Sequence, residues 1–250
     1  MAGLELIEVT PHVLCVRRPR YLSDSYIVHD AQGVVLIDAG MEADGRDMRA
    51  GLERIGAEVS DVRAILLTHW HNDHSSGAEA LRAASGATAY HHRLEQPNFR
   101  RTAVRGVRAA LSDWLPDHGA PAALKAVVGQ SPPRALGEAV LVEGGERIEG
   151  RFLAVHTPGH TAGHLSFVHE PDGVLFAGDA LAFCRGRLWF MSRFLTEDRA
   201  AARRSMRGLL DLPWQHLCPG HRGPLAHVSA VQRRALAEHL DAGRPWPLLS

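Results

Sequence analysis

The sequence predicts a mixed α/β fold containing two similar strand–turn–strand halves, and three observations predict it. Short apolar runs of strand length recur along the chain, such as Val13-Leu14-Cys15-Val16 and Ala64-Ile65-Leu66-Leu67. One arrangement occurs twice. Ser25-Tyr26-Ile27-Val28-His29 passes through Ala31-Gln32-Gly33 to Val34-Val35-Leu36-Ile37-Asp38, and Leu165-Ser166-Phe167-Val168-His169 passes through Pro171-Asp172-Gly173 to Val174-Leu175-Phe176-Ala177-Gly178-Asp179. Each copy is a strand, a glycine-containing turn, a strand and a terminal aspartate; the spacing differs by one residue, so it is an echo and not a strict repeat. Helical patterns lie between these strands.

The elements follow in order. Val13–Val16 and the runs at Tyr26 and Val34 are early strands. Asp44 to Ile55 reads as a helix with Met48, Leu52 and Ile55 on one side. Ser76 and Glu79 fit a capping box that opens a helix through Leu81 to about Ala84. Thr196-Glu197-Asp198 reads as a cap with acidic residues in the first turn of a helix through Leu210, and a last helix runs from about Val228 to Leu240. The whole chain, 1–250, reads as one domain carrying an insertion over 92–143. In that insertion Phe99, Ala103, Val107, Leu111 and Trp114 keep near-helical spacing up to Leu115, after which Pro121, Pro132 and Pro133 force breaks. Its position beside the ligand loops suggests a lid or substrate wall. The stripe Arg100, Arg101, Arg105 and Arg108 fits a solvated helix face better than a site for anions.

Composition excludes several classes. Twenty-eight basic and 28 acidic residues leave no net charge, so no global basic field draws in nucleic acid. No apolar run nears the roughly 18 residues that span a bilayer. Met1-Ala2-Gly3-Leu4-Glu5 lacks the form of an export signal, and three scattered cysteines build no disulfide framework. The expectation is a cytoplasmic protein of the reducing compartment, with no nucleic-acid or membrane partner and a homodimer as the base-rate assembly.

The chemistry concentrates in Thr68-His69-Trp70-His71-Asn72-Asp73-His74, directly behind the apolar run that ends at Leu67. In extended backbone, residues two apart point the same way, so His69 and His71 can converge. A following helical turn swings Asp73 and His74 toward a neighbouring point. Imidazole nitrogen and carboxylate oxygen are zinc ligands. Further donors stand at the ends of later strands: His160 in Pro158-Gly159-His160-Thr161, Asp179 in Gly178-Asp179, and His221 in Pro219-Gly220-His221. Two of these histidines follow Pro-Gly, a turn that presents a side chain on rigid backbone.

The ordered set H-x-H-x-D-H, P-G-H-T, G-D and P-G-H resembles the metallo-β-lactamase superfamily of hydrolases, over about Asp38 to His221. The resemblance implies a four-layer αβ/βα sandwich with metals at one edge. It implies that His69, His71 and His160 hold one metal, that Asp73, His74 and His221 hold a second, and that Asp179 bridges them. Asp38 and His164 would support the ligands from behind. Two zinc ions would then share a water, and the metal-bound hydroxide, oriented by Asp73 as the catalytic residue, would cleave an ester, lactone, thioester or amide-like bond. The chain departs from the family where many members carry an asparagine before the second strand; Ser25 stands there. Lactone-opening relatives place a tyrosine shortly after the bridging aspartate, whereas Ala180-Leu181-Ala182-Phe183-Cys184 follows Asp179. Only 29 residues follow His221, short for the helical domain of the thioester branch.

Two other readings stand beside this one: a persulfide dioxygenase using one iron in a similar ligand set, and a non-catalytic metal-binding or regulatory module. His12, His29, His91, His92, His118, His156, His169, His216, His227 and His239 carry no motif and read as surface or structural residues. Trp70 reads equally as rim packing or substrate contact. Cys15, Cys184 and Cys218 read as packing residues.

Overall fold

The computed structural model describes residues 3–19, 23–100, 135–184, 186–191 and 193–245. The chain divides into two compact units, one of Met1–His91 with Gln96–Val140 and one of His92–Glu95 with Leu141–Ser250.

The first unit is built on a sheet whose strands lie in chain order, β1 to β7. β1 (Glu5–Thr10), β2 (Val13–Arg18), β3 (Ser23–Asp30) and β4 (Gly33–Ile37) form an antiparallel meander. The chain then crosses through α1 (Arg46–Arg54) to β5 (Val62–Leu66), parallel to β4. It continues through α2 (Asn72–Ser75) and α3 (Ala78–Ser85) to β6 (Thr88–His92), parallel to β5. A 3₁₀ turn at Arg93–Glu95, α4 (Gln96–Phe99) and β7 (Ala139–Val142) follow. The core joins Ile27, Leu36 and Ile65 of the sheet to Met48 and Leu52 of α1 and Leu81 of α3. Met48 and Leu52 are one turn apart, so the predicted apolar stripe is the buried face.

The second unit carries a sheet ordered β14-β11-β10-β9-β8. Its strands enter as β8 (Arg147–Ile148), β9 (Phe152–His156), β10 (Leu165–His169) and β11 (Val174–Gly178). A small hairpin of β12 (Ala182–Cys184) and β13 (Arg187–Trp189) comes next. Then come α5 (Arg199–Leu210), β14 (His216–Pro219), parallel to β11, and α6 (Ala230–Asp241). Every residue of β10 and β11 is buried, which accounts for their continuous apolar runs. Met206 and Leu209 of α5, Leu236 of α6 and Trp214 pack with Leu175 and Leu217.

The echo is real in both units: β3 and β4 pair antiparallel, as do β10 and β11, and each pair ends at its predicted aspartate. Other expectations shift. β1 gave no apolar run because it is a sheet-edge strand in which exposed Glu5 and Glu8 interrupt the half-buried Leu6 and Ile7. The Ser76–Glu79 capping box does not form. α3 starts after Gly77 with no side-chain cap, because Ser76 ends α2 and Glu79 pairs with Arg82 and accepts from Gly137 N. Asp198 does cap α5, accepting from Ala200 N and Ala201 N, and Ser229 with Gln232 forms a capping box on α6. Most of the predicted insertion helix, with Arg101, Arg105, Arg108 and the proline breaks, lies outside the described residues. No helix among the described residues is long and apolar enough to cross a membrane.

Candidate functional site

The predicted ligands divide four and three between the two units. In the first unit β5 ends at Leu66, so His69 and His71 stand on a loop and not on the strand expected to deliver them. They converge nonetheless: His69 Nε2 lies 2.9 Å from His71 Nδ1. Two nitrogens on one tetrahedral zinc stand roughly 3.3 Å apart, so this pair is close to ligand spacing. The chain then turns into α2, as expected, and His74 Nε2 comes to 3.7 Å from Asp73 Oδ2. All of these except His71 are buried. Trp70 packs its ring against His71, at 4.5 Å between centroids, and joins the core of its unit.

Asp38 organises this half. It sits just beyond β4 with φ of 60°, a left-handed backbone that costs a non-glycine residue about 1–2 kcal/mol. Backbone bonds from Asp38 N to Leu66 O and from Ala39 N to His74 O hold it there. Its carboxylate accepts from Thr68 N at 2.8 Å, from Thr68 Oγ1 at 2.9 Å and from His74 Nδ1 at 2.8 Å. The single hydroxyl proton of Thr68 is thereby used, so Thr68 Oγ1 accepts from His69 Nδ1 at 3.0 Å. Both imidazoles therefore carry their proton on Nδ1 and keep the Nε2 lone pair for a metal. Asp38 thus sets the tautomer of His74 directly and that of His69 through Thr68. Thr68 was not singled out in the sequence, although its place before the first ligand was the available signal.

In the second unit the predicted ligands stand just past three strand ends: His160 after β9, Asp179 after β11 and His221 after β14. Asp179 Oδ2 lies 3.3 Å from His160 Nε2 and 3.4 Å from His221 Nε2. One carboxylate oxygen between two imidazole nitrogens is the arrangement a bridging ligand requires. Asp179 is held from behind by the predicted His164, whose Nε2 accepts from Asp179 N at 2.9 Å. His164 Nδ1 then donates to Thr157 Oγ1 at 2.8 Å, Thr157 Oγ1 to Ser166 Oγ at 3.0 Å, and Ser166 Oγ to Ala177 O at 3.1 Å. Every member of this relay is buried. Thr157 and Ser166 carried no sequence signal.

The His160 loop approaches α5 so closely that only glycine fits at 159: a Cβ there would meet Ala202 N at 2.4 Å. Ser205 Oγ donates to Pro158 O, Asp198 N to Gly159 O and Glu197 N to His160 O. The Pro-Gly turn thus presents His160 against a helix start. Among the residues expected to be structural, His91, His92 and His169 are buried. Cys15 and Cys218 are buried as expected, and burial pushes the Cys15 thiol well above its usual range; Cys184 is half-buried.

A family profile described as the Metallo-beta-lactamase superfamily matches residues 18–221, and the chain belongs to that superfamily. The hydroxyacylglutathione hydrolase of Cereibacter sphaeroides is 37% identical over 206 residues; the match covers 80% of this chain but 63% of that protein's length. The probable metallo-hydrolase YflN of Bacillus subtilis is 29% identical, with 76% of each chain covered. Among solved structures, the Rm3 metallo-beta-lactamase superposes with a TM-score of 0.66 at 24% identity, covering 95% of this chain and 91% of that one. The mixed α/β fold is that of metallo-beta-lactamases, and the chain sits among metal-dependent hydrolases.

Proposed function

We propose that the chain hydrolyses a small-molecule acyl bond with two divalent metal ions. By the superfamily resemblance, His69, His71 and His160 would take the first ion, Asp73, His74 and His221 the second, and Asp179 would serve both. Imidazole with carboxylate is a zinc donor set, which favours zinc. The observation that carries this reading is Asp179 Oδ2 standing at ligand spacing from His160 and His221, the two imidazoles that the reading gives to different ions. The Nε2 lone pairs that Asp38 secures on His69 and His74 support it.

When bound, the ions supply a water deprotonated near neutral pH and a Lewis acid for the carbonyl oxygen. Asp73 would orient the attacking hydroxide by accepting a hydrogen bond from its one proton, which would make it the catalytic residue. No protein nucleophile is needed. Ala180-Leu181-Ala182-Phe183 after Asp179 offers no acid to protonate a leaving group. A thiolate, with a conjugate-acid pKa of about 8.5, leaves without one, whereas an alkoxide does not leave readily. Among ester, lactone, thioester and amide-like bonds, a thioester is the one that needs such an acid least. The name of the Cereibacter sphaeroides relative, hydroxyacylglutathione hydrolase, points the same way.

The test is turnover of a panel of thioesters, esters and lactones by zinc-loaded protein. Thioester cleavage that disappears in Asp73→Asn is expected. No turnover of any acyl substrate, or turnover that survives Asp73→Asn, would overturn the proposal. Oxygen uptake with glutathione persulfide by iron-loaded protein would favour the dioxygenase instead.

A further inference from the structure

We infer that Glu95 is a positioning residue that holds His160 in ligating geometry through the backbone between them, an inference that rests on the metal-site reading above. The loop Pro158–Gly163 is fixed on two sides. On one side, α5 and its cap take the carbonyls of Pro158, Gly159 and His160. On the other, Glu95 Oε1 accepts from Thr161 Oγ1 at 2.8 Å and from Gly163 N at 2.8 Å. His156 Nε2 donates to Ala162 O at 3.0 Å between them. Six consecutive residues are thus each tied, and the ligand imidazole projects from the middle of the run.

Glu95 is far from that loop in sequence and is 1% exposed. It belongs to the four-residue segment His92–Glu95, which clusters with the second unit although the chain on both sides of it clusters with the first. Two contacts clip the segment in place and one bond within it holds its shape. His92 stacks on His156, with ring centroids 4.1 Å apart and planes 12° from parallel. Leu94 N donates to His92 Nδ1 at 3.1 Å, and Arg93 pairs with Glu143. A glutamate side chain buried this deeply costs stability unless its oxygens are bonded. Here the bonds go to the two residues flanking Ala162, immediately after the ligand. Gly163 lets Glu95 approach, since a Cβ at 163 would stand 2.6 Å from Glu95 Oε1. A surface role, the usual reading of a glutamate, does not account for this placement.

A residue of this kind changes how well a metal is held. The test compares zinc affinity, by competition with a chromophoric chelator, and thermal stability of the zinc-free protein. The variants are Glu95→Ala, Glu95→Gln, Thr161→Val and Gly163→Ala. Support from behind a ligand is commonly worth about 10–100-fold in metal affinity. Glu95→Ala and Gly163→Ala are expected to weaken the tighter or the weaker zinc by about tenfold or more. Thr161→Val should lose less, and Glu95→Gln, which keeps the acceptor oxygen, should recover most of the affinity. If Glu95→Ala does not fold, Thr161→Val and Glu95→Gln carry the same comparison. Lower stability with zinc affinity within twofold of the parent in all folded variants would overturn the inference while leaving the metal site standing. A parent protein that takes up no zinc would overturn both.

Discussion

The two sets of proposed ligands are built by different means. The first unit places His69, His71, Asp73 and His74 within six residues, on one loop and one short helix, and supports two of them with a single carboxylate, Asp38. The second unit draws His160, Asp179 and His221 from three separate strand ends and needs a longer scaffold: the His164–Thr157–Ser166 relay for Asp179, and Glu95 with α5 for the His160 loop. Local sequence can fix a compact ligand run. A dispersed one has to be fixed by side chains brought in from elsewhere.

Breaking the ligands themselves should have the largest effect on either side. His71→Ala and Asp73→Asn are expected to lower kcat on acyl substrates by at least about a thousandfold. The same loss from His221→Ala would show that the second set is equally needed, as measured by steady-state kinetics on zinc-loaded protein. Next comes the support beneath the ligands. Asp38→Ala removes the carboxylate that sets two tautomers, so zinc affinity should fall by about 10–100-fold in a chelator competition. Thr157→Val cuts the relay two bonds away from Asp179 and should cost less; an equal loss would erase the contrast between one hub and a distributed scaffold.

Metal removal sharpens the comparison through stability. A ligand present at 100 times its Kd stabilises by about 2.7 kcal/mol, or roughly 5–10 °C in Tm for a chain this long. Stripping zinc with a chelator should lower Tm by about that much in calorimetry. Asp38→Ala, already weakened in metal binding, should show a smaller drop. The smallest effect concerns protons. His92 is held below its usual pKa of 6.5, chiefly by burial and then by His156 stacked on it, with Glu143 pulling the other way. Burial lowers His29, His216 and His239 likewise. Below pH 6.5 the unfolded chain binds protons that the folded chain does not, so stability is fully present above 6.5 and declines as the pH falls. The Tm of zinc-free protein should drop between pH 7 and 5.5, and His92→Gln should make that decline shallower.

Much of this was legible in the sequence, and the difference between the units explains what was not. The ββ echo gave both hairpins and their terminal aspartates, because strand, glycine turn and strand are adjacent in the chain. The H-x-H-x-D-H run put the four proposed ligands of the first unit within six residues of one another, on the loop past β5 and in α2. Asp38 and His164 were read in their supporting roles through the family resemblance. Thr68, Thr157 and Ser166 were missed because a hydroxyl has no fixed meaning until its neighbours are known. Glu95 was missed because its partners lie 66 and 68 residues away, and a lone glutamate after a strand reads as surface. β1 was missed because a half-buried edge strand interrupted by Glu5 and Glu8 lacks the apolar run that marks its neighbours.

The measurement that bears most directly on the two-set account is metal identity and number per chain, by elemental mass spectrometry on protein purified without a metal-binding tag. The expected result is close to two zinc ions per chain, falling toward one or none in Asp179→Asn. One iron per chain would contradict the two-ion hydrolase and favour a dioxygenase. No tightly held metal would contradict a catalytic metal centre altogether.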